Sequence, residues 1–229
     1  MKICIDPGHG GKDPGAVGYD VKEKDITLGI SLLLAEILKK KGITVDLTRT
    51  SDIYHSVNEK AQIANSKGAD LFISIHCNSA GSTAAEGAEV LIYDDTCSEV
   101  AECVKDSLIG NLGLRDRGVK IRKDLAVLNS TTMPAILVET AFLSNARERN
   151  LLLNNKREFA QAIAEGIFKF YGMEDKEMVE ESKMIVNNKE VTVRRILKDG
   201  TNYIAVRDIA DSLGYEIGNQ GSIAVLNKK

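Results

Sequence analysis

Two histidines lie at the ends of short apolar runs, where their imidazoles could bind a metal ion. His9 follows the strand-like run 2–6 and lies among three glycines that let the backbone turn sharply. His76 lies near the end of the apolar run 71–78. Open α/β sheets carry their sites at the carboxyl ends of their strands. Two neutral imidazoles and one carboxylate form a zinc site that keeps a fourth position for water, so these positions predict a metal centre.

Two acidic residues could supply the carboxylate of this centre. Glu23 is the first choice because it precedes a predicted helix and follows a glycine-containing turn close enough to His9 to fold back. Glu89 follows Gly87 at the start of a predicted strand and is the second choice. The third histidine, His55, lies in a polar loop without a glycine turn, so we expect it to be a surface residue. Spacing alone leaves both glutamates open as ligands.

Glu139 is a candidate general base. It ends the apolar run 134–138, and a carboxylate at a strand end between apolar neighbours is poorly solvated. Poor solvation disfavours the ionised form and raises the pKa of such a carboxyl group. A pKa near neutrality suits proton transfer at physiological pH, so we expect Glu139 to act as an acid/base. A helix cap or a salt-bridge partner is the alternative role for a strand-end glutamate.

A basic run is the candidate for substrate binding. Residues 115–123 contain five cations and one acid. We expect Arg117, Lys120 and Arg122 to bind an anionic substrate, together with Asn78 at the end of the run that contains His76. A solvated surface segment is the alternative for such a run.

Short β-branched apolar runs alternate with longer helical patterns through residues 1–173. Predicted strands occupy 2–6, 43–48, 70–75, 89–93 and 135–138, and predicted helices occupy 25–41, 56–67, 96–112 and 156–171. This alternation indicates an α/β fold whose mostly parallel, twisted sheet is flanked by helices.

The acidic stretch 174–183 separates this region from a tail of different character. It carries five acidic and two basic residues and no sustained apolar stripe, which is typical of an interdomain linker. The tail contains strand-like runs at 184–186, 190–193, 203–206 and 222–226 and a short helical segment at 207–213. We therefore predict a catalytic domain at 1–173, a linker at 174–183 and a small α+β module at 184–229.

Composition excludes several classes of protein. The chain has 229 residues, a formal net charge of −3 and a sequence pI near 5.7, so it lacks the basic surplus of a protein whose main partner is a nucleic acid. No window approaches the ~20 consecutive apolar residues of a membrane-spanning helix. No apolar leader segment follows Met1 and Lys2, so we expect synthesis in the cytoplasm without a signal peptide, and no membrane partner.

The residues singled out above lie in motifs that resemble those of a known enzyme family. In order along residues 1–173, they resemble the motifs of the zinc-dependent N-acetylmuramoyl-L-alanine amidases, also called amidase type 3. The matching segments are Asp6-Pro7-Gly8-His9-Gly10-Gly11, Glu23-Lys24-Asp25-Ile26-Thr27-Leu28, Leu47-Thr48-Arg49 with Asp52, Ala64-Asn65, Ser74-Ile75-His76-Cys77-Asn78, Gly87-Ala88-Glu89-Val90 and residues 134–145. One departure is Lys60, where the family usually has arginine, and we expect it to affect only a contact on a helix surface.

The resemblance implies a peptidoglycan hydrolase with a zinc amidase/phosphorylase-hydrolase-like fold. One zinc ion would be bound by His9, Glu23 and His76, with Glu139 as the catalytic acid/base, so the resemblance favours Glu23 over Glu89. The implied reaction cleaves the amide bond between N-acetylmuramic acid and the L-alanine of the stem peptide, which causes cell-wall lysis. Another zinc-dependent peptidoglycan peptidase or deacetylase is the alternative. A phage endolysin released through membrane holes and a mother-cell lytic enzyme both fit the implied activity.

Residues 184–229 are similar to the small stalk or copper-amine-oxidase-N-terminal-like modules of Gram-positive wall proteins. The similarity lies in residues 186–191, 203–210 and 213–215 and implies a role in binding the cell wall. A module this short, without cysteine or histidine, can use neither disulfides nor a metal for stability. Exposed sheet edges can pair with a second copy, so we expect a homodimer formed through residues 184–229.

Overall fold

The chain forms two compact units, Met1–Glu174 and Asp175–Lys229. The computed structural model describes residues 1–174, 180–198, 201–220 and 223–228. Half of the predicted linker, residues 175–179, lies outside the described residues, as does Ser222. Residues 180–183, also predicted as linker, instead belong to the first strand of the second unit.

A six-stranded sheet forms the centre of the first unit. Its strands are β1 (Lys2–Pro7), β4 (Thr44–Leu47), β5 (Leu71–Asn78), β6 (Ala88–Ile92), β7 (Asp116–Ile121) and β8 (Ala135–Phe142). A small hairpin of β2 (Val17–Gly18) and β3 (Val21–Lys22) stands apart from it. The sheet order is β4-β1-β5-β8-β6-β7, and the β6–β8 pair alone is antiparallel among the pairs of this sheet in the described residues. The predicted α/β fold with a mostly parallel sheet is confirmed.

Helices cover both faces of this sheet. They are α1 (Glu23–Lys40), α2 (Val57–Lys67), α3 (Ser98–Leu112), α4 (Ala126–Asn129), α5 (Ala146–Asn154) and α6 (Lys156–Phe170). Successive side chains of a strand point to opposite faces, and β1 shows this directly. Ile3 and Ile5 join a core with α1, α3 and α6, whereas Cys4 joins a second core with α2 and α4. The sheet therefore separates two apolar layers.

Local sequence signals account for the ends of several helices. At α2, the Ser56 hydroxyl accepts from the Glu59 amide and the Glu59 carboxylate accepts from the Ser56 amide, which forms a capping box. Gly68 ends this helix in the left-handed conformation, with φ of 60°. α1 begins at Glu23 without a side-chain cap, because its N-cap residue is Lys22, whose ammonium group cannot accept a hydrogen bond from the first-turn amides.

β7 and α5 are elements that the sequence patterns did not predict. β7 coincides with the basic run and lies at the edge of the sheet, where its side chains are partly or fully exposed. An edge strand needs no alternation of apolar residues, so its sequence resembles a surface loop.

The second unit contains two small antiparallel sheets. β9 (Glu180–Val186), β10 (Lys189–Lys198) and β11 (Thr201–Ile204) form a three-stranded sheet in the order β11-β10-β9. α7 (Val206–Ala210) and a 3-10 turn (Asp211–Leu213) follow, and then a hairpin of β12 (Tyr215–Gln220) and β13 (Ile223–Lys228). The predicted α+β character is present, and β12 is an additional strand. Within the described residues of the chain, no helix is long and apolar enough to cross a membrane.

Candidate metal centre and active site

His9 stands on a glycine-rich turn directly after β1. Its backbone has φ of 61°, which is uncommon for a residue other than glycine, so the surrounding loop must hold this conformation. Its ring atom Nδ1 lies 2.9 Å from Asp13 Oδ2, four residues further along the chain. This contact orients the imidazole and leaves Nε2 directed at Glu23, 3.1 Å from Oε2.

Glu23, the first residue of α1, lies between the two predicted histidines. Its Oε1 is 3.0 Å from His76 Nδ1, and its oxygens also accept the Ala16 amide at 2.8 Å and the Cys77 amide at 2.9 Å. Burial opposes ionisation of this carboxyl group. Hydrogen bonds from His76 and His9 outweigh that effect and hold the pKa of Glu23 far below its usual value. The Glu23 carboxylate is therefore a charged group fixed between two imidazoles.

These three side chains fit a zinc ion. One ligand atom from each of His9, Glu23 and His76 lies within 4.8 Å of the others, and among the described residues this is the group that could hold a metal. Two imidazoles and a carboxylate are a zinc ligand set, and the Asp13 contact is typical of a metal-bound histidine. A Cβ at Gly15 would lie 2.5 Å from His9 Cδ2 and 2.6 Å from Glu23 Oε2, so glycine there preserves the space for both side chains.

Glu139 lies beside this cluster in the sheet. It is the β8 residue paired with His76 of β5, and on its other side it is paired with Glu89 of β6. Its Oε2 is buried and has no hydrogen-bond partner among the described residues. Burial raises the pKa of Glu139 to about 7, an effect that His76 opposes and that Glu23 and Glu89 reinforce. At neutral pH this carboxyl group can therefore both accept and donate a proton.

Glu89, the second candidate ligand, lies outside the metal cluster and binds cations instead. Its Oε2 accepts Arg117 Nε at 2.8 Å and Lys120 Nζ at 2.5 Å, and its Oε1 accepts Asn78 Nδ2 at 3.1 Å. Burial opposes its ionisation, but Lys120 and Arg117 more than compensate and lower the pKa of Glu89. Three of the predicted substrate-binding residues thus meet around one carboxylate, at the β-sheet position next to Glu139.

Arg122 and His55 are not part of these groups. Arg122 donates from Nε and Nη2 to the two carboxylate oxygens of Asp124, at 2.8 and 2.7 Å. His55 is partly exposed in the loop before α2 and is not a member of the metal cluster.

The prediction that Lys60 affects only a contact on a helix surface is wrong. Lys60 is only 5% exposed, and its Nζ lies 3.0 Å from Oδ1 of the buried Asp6. Asp6 also accepts the hydroxyls of Thr48 at 2.6 Å and Ser74 at 2.7 Å. A lysine in a helical pattern is normally solvated. Lys60 is buried because its ammonium group neutralises the buried carboxylate of Asp6, at the end of β1 before the turn of His9.

Sequence reasoning missed the residues that hold the His9 turn in place. Asp13 could have been found from its position four residues after His9. Arg49 and Asp52 lie in a recognised motif, but their contacts with residues 7–11 depend on how β4 pairs with β1.

Comparison with known proteins identifies a family that matches the first unit of the chain and relatives that match most of its length. The family described as N-acetylmuramoyl-L-alanine amidase matches residues 3–169. The chain is 40% identical over 171 residues to the sporulation-specific N-acetylmuramoyl-L-alanine amidase of Bacillus subtilis (strain 168). The aligned residues cover 72% of this chain and 65% of that protein. It is 38% identical over 173 residues to the endolysin of Bacillus phage SPP1, covering 72% of this chain and 62% of that one. The chain thus spans less than two thirds of the length of either relative.

The fold of this chain is similar to that of a solved amidase structure. The catalytic domain of CwlV, an N-acetylmuramoyl-L-alanine amidase from Bacillus (Paenibacillus) polymyxa var. colistinus, superposes with a TM-score of 0.72 at 35% identity. The superposition covers 76% of this chain and 99% of that domain.

Proposed function

Because this chain belongs to the N-acetylmuramoyl-L-alanine amidase family, we propose that it hydrolyses the amide bond between N-acetylmuramic acid and the L-alanine of the peptidoglycan stem peptide. The observation that carries this proposal is the arrangement of Glu139 beside the His9–Glu23–His76 cluster. It combines a ligand set for a Lewis acid with a proton-transfer group, which is what amide hydrolysis needs.

We assign His9 Nε2, the Glu23 carboxylate and His76 Nδ1 as the ligands of one zinc ion. When bound, zinc would lower the pKa of a water molecule to about 7 and polarise the scissile carbonyl group. Glu23 supplies the negative charge of the site, and Asp13 fixes the His9 ring. These side chains are held by backbone amides and loop contacts, so the ligands need little rearrangement on binding.

Glu139 is proposed as the proton carrier. It takes a proton from the attacking water and returns it to the nitrogen of the departing L-alanine. Protonation of that nitrogen is required because an amide anion is a very poor leaving group. A carboxyl group with a pKa near 7 performs both steps at neutral pH without a large free-energy cost.

Arg117, Lys120 and Asn78 are proposed to orient the substrate. Two cations share the single carboxylate of Glu89, which leaves a net positive charge next to Glu139. Carboxylates of the stem peptide are the anionic groups of this substrate. Arg122 already uses Nε and Nη2 in a bidentate ion pair with Asp124, so binding a substrate carboxylate through these two atoms requires breaking that pair.

The place of action that we propose is the cell wall, where the substrate lies. One relative is named an endolysin and another a sporulation-specific N-acetylmuramoyl-L-alanine amidase, and both names support this place of action. The second unit is proposed to bind the wall or to join two copies of the chain.

Product analysis tests the proposed reaction. The zinc-loaded full chain is incubated with purified peptidoglycan, and new amino termini are labelled and identified by mass spectrometry. We expect L-alanine as the new amino terminus, with intact N-acetylated glycan strands. Release of acetate would indicate a deacetylase, and a different new amino terminus would indicate a peptidase; either result would overturn the proposal.

A further inference from the structure

Arg49 contacts the backbone next to two of the proposed zinc ligands. It follows β4 and is only 2% exposed. Its Nε donates to the Pro7 carbonyl at 3.1 Å, and its Nη2 donates to the Gly8 carbonyl at 2.9 Å and the Lys24 carbonyl at 2.9 Å. Pro7 and Gly8 directly precede His9, whereas Lys24 directly follows Glu23. One guanidinium group therefore joins the His9 turn to the start of α1.

The turn lies directly on this side chain. A Cβ added at Gly10 would overlap the Ile53 carbonyl oxygen and lie 3.0 Å from both Cδ and Nε of Arg49, so glycine at this position lets the turn pack against the Arg49 side chain. Gly11 is held separately, because its amide donates to Asp52 Oδ1 at 2.7 Å and its carbonyl accepts Lys24 Nζ at 2.9 Å. Arg49 thus holds the residues before His9, and Asp52 and Lys24 hold Gly11 after it.

The charge of Arg49 is favoured by the carboxylates of Asp6, Asp52 and Asp25, but it does not help the site to bind a metal ion. A cation near a bound zinc ion repels it, so charge alone would weaken metal binding. The shape of the side chain supplies another reason, since its rigid planar fork can bind carbonyl groups from two segments at once. A lysine carries the same charge on a single flexible ammonium group and cannot reproduce that geometry.

We propose that Arg49 is a positioning residue that sets the separation of His9 from Glu23 and thereby the zinc affinity of the site. The proposal rests on the zinc site of the proposed function and does not depend on the substrate. Removal of groups that orient metal ligands typically lowers metal affinity by about 10- to 100-fold. If Arg49 acts only through its charge, its removal should instead increase the zinc affinity.

The test measures zinc affinity of the full chain for Arg49→Met, Arg49→Lys and a control, Leu38→Ala. Leu38 is fully buried in the last turn of α1, about 22 Å along the helix from Glu23 at 1.5 Å per residue. Its truncation lowers stability through a core cavity without touching the metal site. Zinc Kd is measured by competition with a chromophoric chelator, and the melting temperature of each zinc-free protein is recorded in parallel.

We expect Arg49→Met to raise the zinc Kd by about tenfold or more, and Arg49→Lys to raise it although the charge is retained. Leu38→Ala should leave Kd within about twofold at a comparable loss of melting temperature. The proposal is overturned if Arg49→Met leaves Kd unchanged or lowers it, or if Leu38→Ala raises Kd as much.

If Arg49→Met does not fold, Arg49→Lys decides the question, since an unchanged Kd in that variant also overturns the proposal. A wild-type chain that binds no zinc overturns it as well. Tight zinc binding that depends on Arg49, without release of an L-alanine amino terminus, would refute the proposed reaction and leave the positioning role supported.

Discussion

Each carboxylate oxygen of Glu23 makes two contacts, one with an imidazole nitrogen and one with a backbone amide. The two amides come from different segments, Ala16 before α1 and Cys77 at the end of β5. The carboxylate therefore connects three parts of the chain that carry His9, α1 and His76. A charged group with four contacts of this kind keeps its position before a metal ion binds.

The first prediction concerns the two histidines of the cluster. His9→Ala or His76→Ala should abolish stoichiometric zinc binding and amide cleavage, because each removes one of three protein ligands. His55→Ala is the matched control and should change neither, since His55 is outside the cluster. Elemental analysis of dialysed protein and the product assay on peptidoglycan provide the measurements. Full activity in either of the first two variants would refute the ligand assignment.

The second prediction separates the proton carrier from the ligands. Glu139→Gln keeps the size of the side chain but cannot exchange a proton, so we expect zinc to stay bound while turnover falls by roughly 10²-fold or more. Zinc content and kcat are measured on the same preparation. Loss of the metal in this variant would make Glu139 a ligand and contradict its proposed role.

At the scale of elements, the direction of β6 determines what surrounds Glu139. β6 runs antiparallel to β8, so its first residues lie at the carboxyl end of β8 and Glu89 becomes the partner of Glu139. β7 then pairs with β6 and brings Arg117 and Lys120 to Glu89. The cationic part of the proposed substrate subsite is thus formed at a sheet edge by β6 and β7.

The third prediction tests this subsite with two variants of equal charge change. Arg117→Gln/Lys120→Gln should raise the KM on peptidoglycan more than it lowers kcat, because these groups would bind the ground state and the transition state alike. Arg122→Gln/Lys123→Gln should have a smaller effect, since Arg122 is already paired with Asp124. Wild-type KM values in both double variants would indicate that the basic run acts only as a solvated surface, and an equal rise in both would contradict the special role of Arg117 and Lys120.

The fourth prediction concerns the contact that joins β6 and β8 at this edge. Glu148 of α5 is fully buried and accepts the amides of Gly87 and Phe142, each at 2.7 Å. Glu148→Ala should destabilise the first unit by about 1–3 kcal/mol for each buried amide left without a partner. Glu148→Gln retains a carbonyl acceptor and should lose less. Urea unfolding of the full chain, with the zinc-stabilised transition assigned to the first unit, measures both; equal stability of wild type and Glu148→Ala would contradict the prediction.

At the scale of the whole molecule, the two units differ in how much core they have. The first buries apolar layers on both faces of its sheet, whereas the second consists of a three-stranded sheet, a short helix and a hairpin. Large apolar side chains of the second unit are exposed, including Ile185 at 74% and Tyr203 at 56%. β9 lies at an edge of its sheet and carries Ile185.

The fifth prediction is that this second unit joins two copies of the chain. An edge strand with an exposed apolar residue is suited to pairing, and a charged residue there blocks such pairing. We expect the full chain to sediment as a dimer, and Ile185→Lys and the fragment 1–174 to sediment as monomers that still bind zinc. A monomeric full chain would contradict the prediction, and a dimeric 1–174 fragment would place the interface in the first unit.

Much of the site was predictable from sequence because its signals are local. The glycines around His9, the apolar run before Glu139 and the β-branched run before His76 each mark a strand end within a few residues. The alternation of strands and helices then indicated a mostly parallel sheet, and such a sheet collects the carboxyl ends of its strands at one edge. These are properties of short segments, which hydrophobic periodicity and turn residues report directly.

The remaining features were decided by contacts between distant segments. Spacing left Glu23 and Glu89 as alternatives, and the structure separates them because β6 reverses direction and commits Glu89 to Arg117 and Lys120. Lys60 is buried because Asp6, far away in sequence, has no other cation within ion-pairing distance among the described residues. Arg49 meets the His9 turn only because β4 pairs with β1. Strand order and direction arise from the packing of the whole sheet, so no short segment contains them.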